Sequence, residues 1–179
     1  LRETQLVVCL LFQYAGMSFV DFAHLKERNI KNGILDYNRQ KTGTPMRLEI
    51  LDTAELMRKE LMGDKKPASG YLFPFLSGTK TGYEAYLEYN AALSRFNRNL
   101  KALKKAAGIA SDVTSYTIRH SFAMALKEQN VPIEMISELL GHKSIKTTQI
   151  YLRSFSLEKM TEVNSTCFGC VYNYVSKVG

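Results

Sequence analysis

An α+β fold that is mainly α-helical, a helical core with a small antiparallel three-stranded sheet at one edge, is predicted by three observations. Apolar residues recur at helical spacing over most of the chain. Between Leu25 and Ile50 the pattern shortens to strand-length segments separated by turn formers. The composition, 45% hydrophobic and 23% charged over 179 residues, is that of an ordinary globular domain with a core of its own, which disfavours disordered, collagen-like and membrane-spanning classes.

Taken in order, residues 5 to 15 read as a buried helix ending near Gly16. Ser18-Phe19-Val20-Asp21 has the spacing of a capping box that opens a short second helix. Leu25 to Ile30, Ile34 to Arg39 and Met46 to Ile50 are the three strands, joined by Asn32-Gly33 and by Lys41-Thr42-Gly43-Thr44-Pro45. Asp52, with Glu55 three residues on, opens a helix that stops near Gly63. From Lys65 to Gly82 the turn formers Pro67, Gly70, Pro74 and Gly78 predict a long connection pinned by Tyr71-Leu72-Phe73. Helical period then resumes, with Phe96, Leu100, Leu103 and Ala107 on one face and Arg98, Lys101 and Lys105 on another, up to Gly108. Three further helices follow at about 117 to 129, 133 to 140 behind Pro132, and 144 to 153. The tail from Thr161 has no clear helical period.

Lys and Arg outnumber Asp and Glu by 24 to 17, a net charge of +7, and the sequence pI is 9.3. Nearly all of the surplus, ten basic against four acidic residues, lies between Arg95 and Arg153. Such a concentration points to a polyanionic partner. The longest apolar run, Leu6 to Phe12, is far shorter than the roughly 20 residues a bilayer requires, so no membrane is involved. Cys9, Cys167 and Cys170 cannot all pair, and Cys9 sits in an apolar run; a reducing, cytoplasmic setting is the simplest reading. The opening Leu1-Arg2-Glu3-Thr4 lacks an initiator methionine and reads as a cut within a longer chain.

The chemistry is concentrated in Arg119-His120, Leu139-Leu140-Gly141-His142, and Tyr151 nine residues after that histidine. This ordered set resembles the catalytic domain of the tyrosine recombinases, the phage-integrase family, and the resemblance runs from about Leu6 to Arg153. A phenol with a pKa of about 10 is a poor nucleophile. Attack on a phosphodiester therefore needs cations and neutral donors around the phosphate. Arg119 can bind a non-bridging oxygen with a charge it never loses, and His142 can donate to the developing charge. The resemblance implies Tyr151 as nucleophile, Lys41 on the hairpin tip as the acid that protonates the leaving 5′ oxygen, and a 3′-phosphotyrosine intermediate. It further implies that no metal or nucleotide cofactor is needed.

Two positions depart from the family pattern. Gly16-Met17-Ser18 stands where most members have Gly-Leu-Arg, with Asp21 matching the acid that follows. The first catalytic arginine is therefore missing, and Ser18 reads as an N-cap. Losing one donor of an oxyanion-type clamp costs roughly 10²–10³ in rate, so the enzyme is slow or another cation fills the gap. Arg28, Arg39 and Arg47 are the candidates along the sheet, unranked. Tyr116 takes the place of the usual histidine; a phosphate contact and a packed aromatic at the start of a helix are both open. His120 reads as structural, since adjacent helix positions point about 100° apart.

The resemblance implies residues 1–160 as the catalytic domain of a site-specific DNA recombinase acting in integration or excision of a mobile element. Double-stranded DNA would meet Arg98, Lys101, Lys105, Lys143 and Lys146, within a homotetrameric synaptic complex. The 161–179 tail, with Val171 to Val175 as an added strand, docks either on its own domain or on a neighbouring subunit. The rival readings are a non-catalytic helix-turn-helix over Val131 to Arg153 and a recombinase-like domain that has lost activity. Ser77-Gly78-Thr79-Lys80 mimics a penicillin-binding motif by chance in a turn-rich loop. Cys167-Phe168-Gly169-Cys170 is half a zinc site with no second half, so no metal is expected.

Overall fold

The computed structural model describes residues 1–65 and 70–152. Helix α1 (Arg2–Gln13) buries Leu6, Val7, Leu10 and Leu11 on one stripe. It ends before the expected residue 15 because Ala15 and Gly16 both turn left-handed, with φ of 55° and 63°. The Met17 N–H then closes onto the Leu11 carbonyl at 2.9 Å. Ser18 is the N-cap of α2 (Phe19–Ala23), accepting from the Asp21 N–H and donating to the Asp21 carboxylate at 2.5 Å.

The first strand is shorter than the sequence predicts. A 3-10 turn (Glu27–Asn29) occupies most of the expected Leu25–Ile30 segment, and β1 is only Ile30–Lys31. The Asn29 side chain explains this: it accepts from the Lys26 N–H and donates to the Asp36 carbonyl, both at 2.8 Å, curling the chain before it can extend. β2 (Ile34–Asn38) lies between β1 and β3 (Pro45–Glu49), all antiparallel. The Asn32-Gly33 turn takes φ of 52° and 75°, as a two-residue hairpin demands. Alternation along β2 sends Leu35, Tyr37 and the following Arg39 inward.

Helix α3 (Asp52–Met62) has Leu51 rather than Asp52 as its N-cap, so Asp52 and Glu55 act as first-turn charges and not as a capping box. The connection to α4 is pinned as expected. Leu72 donates to the Leu25 carbonyl at 2.7 Å, and the Phe73 ring stacks on Phe22 with centroids 4.1 Å apart. Phe19 stacks on Phe96 of α4 (Gly82–Ala106) at 4.6 Å, tying α2 to the long basic helix. α5 (Ser115–Glu128) opens on a Thr114–Thr117 capping box. α6 (Ile133–Leu139) and α7 (Ile145–Tyr151) complete the described fold. Cys9 is exposed and not buried as its apolar surroundings imply, because it lies off the α1 stripe. Arg153, Cys167, Cys170 and the 161–179 tail lie outside the described residues.

There are two apolar clusters, and α5 joins them. Ile118 belongs to the main core, whereas Ala123 packs with Ile136 and Leu140 in a smaller one. Arg119 lies between the two. α6 ends in a Schellman motif: Gly141 donates to Glu138 at 2.8 Å and His142 to Ser137 at 3.0 Å, with Gly141 at φ 60°. A Cβ on Gly141 would also collide with Met46 and would lie 2.8 Å from Arg39 Cδ. Gly141→Ala should therefore destabilise the fold by about 2 kcal/mol or more, since the left-handed backbone alone costs an L-residue roughly 1–2 kcal/mol. A urea midpoint within error of wild type would contradict this.

Candidate active site

The end of α6 is the anchor of the site. Its last carbonyls have no partner within the helix, and two arginines from distant parts of the chain supply one. Arg39 Nη1 donates to the Leu140 and Gly141 carbonyls at 3.2 and 3.1 Å. Arg119 Nη2 donates to the same Leu140 carbonyl, and its Nη1 donates to the Gly16 carbonyl at 2.9 Å. Both side chains are buried, Arg119 at 4% and Arg39 at 8% exposure. Gly16 must be glycine here, because a Cβ would lie 2.9 Å from the Phe122 ring and its φ is 63°.

Asp21 holds Arg39 from the other side. It is buried at 3% exposure, accepts from the Gln40 N–H at 2.7 Å, and pairs with Arg39 Nε at 3.5 Å. The carboxylate thus fixes both the guanidinium and the start of the hairpin tip that carries Lys41. Ser18, where the sequence pattern lacks an arginine, belongs to the same network through Asp21. Of the three candidate replacements only Arg39 joins the cluster. Arg28 is exposed on the 3-10 turn, and Arg47 lies opposite Asp36 on the outer face of the sheet.

His142 follows the Schellman glycine and is delivered beside Arg119. Its Nε2 lies 3.5 Å from Arg119 Nη2 and its Nδ1 lies 2.8 Å from Thr148 Oγ1 on α7. Burial, reinforced by the charges of Arg119 and then Arg39, pushes its pKa down to about 4. The imidazole is therefore neutral at physiological pH, a hydrogen-bonding group and not a cation. Burial also raises the pKa of Tyr37 behind Arg39; Asp21 adds to the effect and the two arginines oppose it.

The other expected residues are placed as follows. Tyr116 is 59% exposed, so it is not a packed aromatic; it stands one turn before Arg119 on α5. Lys41 is exposed at the β2–β3 tip, and Lys143 and Lys146 are exposed at the start of α7. Arg98, Lys101 and Lys105 line an exposed face of α4. His120 is half-buried beside Arg119. Tyr151 is the last residue of α7; its side chain lies outside the described residues. Among the described residues, no group of three or more His, Cys, Asp or Glu side chains is arranged to hold a metal ion.

The family model described as the phage integrase family matches residues 2–158. The chain belongs to the phage integrase family. Segments of this phage-integrase chain are similar to the tyrosine recombinase XerD of Lacticaseibacillus casei, 52% identical over 54 residues, which are 30% of this chain and 18% of that protein. The tyrosine recombinase XerC of Rickettsia typhi is 41% identical over 75 residues, 42% of this chain and 24% of the relative. The matched segments thus span less than a quarter of the length of these relatives. The fold is that of XerA recombinase, with a TM-score of 0.60 at 20% identity, covering 92% of this chain and 61% of the other. It is equally that of the Tn1549 transposon integrase in complex with a circular intermediate DNA, with a TM-score of 0.63 at 16% identity, covering 89% and 57%.

Two members of the cluster escape a motif-based reading. Arg39 is marked only by strand alternation, as a charged residue in the inward register of Leu35 and Tyr37. Thr148 gives no signal beyond lying six residues after His142. The neutral state of His142 generates a prediction. Its folded pKa is lowered from an ordinary 6.5 to about 4, so the unfolded chain binds the extra proton first. Stability is then lost as pH falls from about 6.5 towards 4. His142→Gln, which does not titrate, should lose less stability than wild type between pH 7 and pH 4.5 in urea unfolding; equal losses would contradict the assignment.

Proposed function

We propose that this chain is the catalytic domain of a site-specific DNA recombinase that cleaves and rejoins DNA through a covalent 3′-phosphotyrosine at Tyr151. The observation that carries the reading is the convergence of Arg119, Arg39 and His142 on the end of α6, one short loop from the helix that ends in Tyr151. Among the described residues, Asp21 pairs with Arg39, and Arg119 donates to the Gly16 and Leu140 carbonyls. Two guanidinium groups brought to one helix end suit a scissile phosphate, whose oxygens accept from arginine. Arg39 takes the place of the missing first arginine, reaching the cluster from the sheet instead of from the start of α2.

In the proposed step the Tyr151 oxygen forms a bond to phosphorus as the bond to the 5′ oxygen breaks. Lys41 gives a proton to the leaving oxygen, and the phenolic proton restores the ammonium, so the step is proton-neutral. Arg119 and Arg39 neutralise charge on the non-bridging oxygens. His142 contributes an uncharged N–H, and Tyr116 a phenolic O–H. Attack by another strand's hydroxyl reverses the step, so neither metal nor nucleotide cofactor is consumed. The exposed Arg98, Lys101, Lys105, Lys143 and Lys146 meet the flanking duplex phosphates. We further assign the protein to integration or excision of a mobile element within a homotetrameric complex, with the 161–179 tail docking on its own domain or on a neighbouring subunit. Support comes from the family and from a transposon integrase of the same fold. A helix-turn-helix reader of base edges would have no use for two arginines buried behind its first helix.

Covalent trapping tests this reading. On a nicked suicide DNA carrying the recombination site, wild type should give a protein–DNA band on a denaturing gel and Tyr151→Phe none. Lys41→Ala should cleave slowly and be rescued by a 5′-phosphorothiolate, whose leaving group needs no proton. Absence of a band from wild type that binds the site would overturn the enzymatic reading. A band from Tyr151→Phe would overturn the nucleophile, and failure of the rescue would overturn the role of Lys41.

A further inference from the structure

Thr148 is fully buried, at 0% exposure, on the short helix that ends in Tyr151. Its hydroxyl lies 2.8 Å from His142 Nδ1. The opposite ring nitrogen, Nε2, lies 3.5 Å from Arg119 Nη2. Guanidinium nitrogens only donate. In this arrangement, therefore, Nε2 presents its lone pair to Arg119, and Nδ1–H donates to Thr148. To stabilise charge on a phosphate oxygen, the same Nε2 must carry the proton, which leaves Nδ1 as an acceptor. A hydroxyl serves both states, because it accepts from Nδ1–H and, after rotating, donates to a bare Nδ1. A carbonyl or carboxylate at this position would hold only the first tautomer, and a backbone N–H only the second.

We propose that Thr148 is a positioning residue that lets His142 exchange tautomers when phosphate enters, keeping Nε2 aimed at the phosphate site in both states. The same hydrogen bond ties α7 to His142, so the helix bearing Tyr151 and the donor that faces the phosphate are registered by one contact. The inference rests on the catalytic reading above and adds to it a residue outside the arginine, histidine and tyrosine set.

The test compares Thr148→Val, which keeps the shape and loses the hydroxyl, with Thr148→Ser, which keeps the hydroxyl. The first readout is the rate of covalent complex formation on the suicide DNA. Thr148→Val should be slower by about 10-fold, the worth of one hydrogen bond, and Thr148→Ser within about threefold of wild type. The second readout is the pair of ring 15N shifts of His142 in the DNA-free protein, which has only three histidines and is assigned by loss of signal in His142→Gln. Thr148→Val should redistribute the tautomers and Thr148→Ser should not. Unchanged nitrogen shifts in Thr148→Val, or equal slowing in both variants, would overturn the proposal. If wild type forms no covalent complex, the catalytic reading fails, and the nitrogen shifts alone decide whether the hydroxyl controls the tautomer.

Discussion

The carbonyl oxygen of Leu140 accepts from two arginines that are eighty residues apart in sequence, and the geometry of the candidate site follows from that shared acceptor. It is available because a helix leaves its last carbonyls unpaired. It is accessible because Gly141 brings the chain round without a side chain where Arg39 and Met46 must pass. Leu140 is itself buried in the smaller apolar cluster, so packing fixes the position of the oxygen. Sheet, α5 and α6 thus meet at one atom, and His142 leaves the same turn.

Asp21 pairs with Arg39, the partly negative end of α6 accepts from both arginines, and burial, reinforced by the two positive charges, keeps His142 neutral. The basic residues on α4 and around α7 lie on exposed faces, where salt screens their field.

Much of the fold was legible because its signals are local. The Asn-Gly turn, the Ser18 cap, the Leu72-Phe73 pin and the apolar stripes of α1 and α4 each depend on residues a few positions apart. The Asn29 side chain shortened the first strand by bonding to Lys26 and Asp36, and a one-residue shift made Leu51 the cap in place of Asp52. Arg119 and His142 were readable as a motif. Arg39 was only one of three candidates, because its selection depends on a contact with residues a hundred positions away. Its inward register beside Leu35 and Tyr37 was nevertheless present in the sequence. Thr148 could not be singled out at all, since nothing distinguishes a threonine facing a histidine from one capping a turn until the loop between them is folded.

The central claim is that Arg39 neutralises the scissile phosphate in place of the absent arginine. The most direct measurement compares cleavage by Arg39→Ala on a suicide DNA bearing either an ordinary scissile phosphate or an uncharged methylphosphonate. The account predicts a loss of about 10²–10³ on the phosphate and recovery of most of it on the methylphosphonate, where there is no charge to neutralise. Wild-type cleavage of the phosphate by Arg39→Ala, or an equal defect on both substrates, would contradict it.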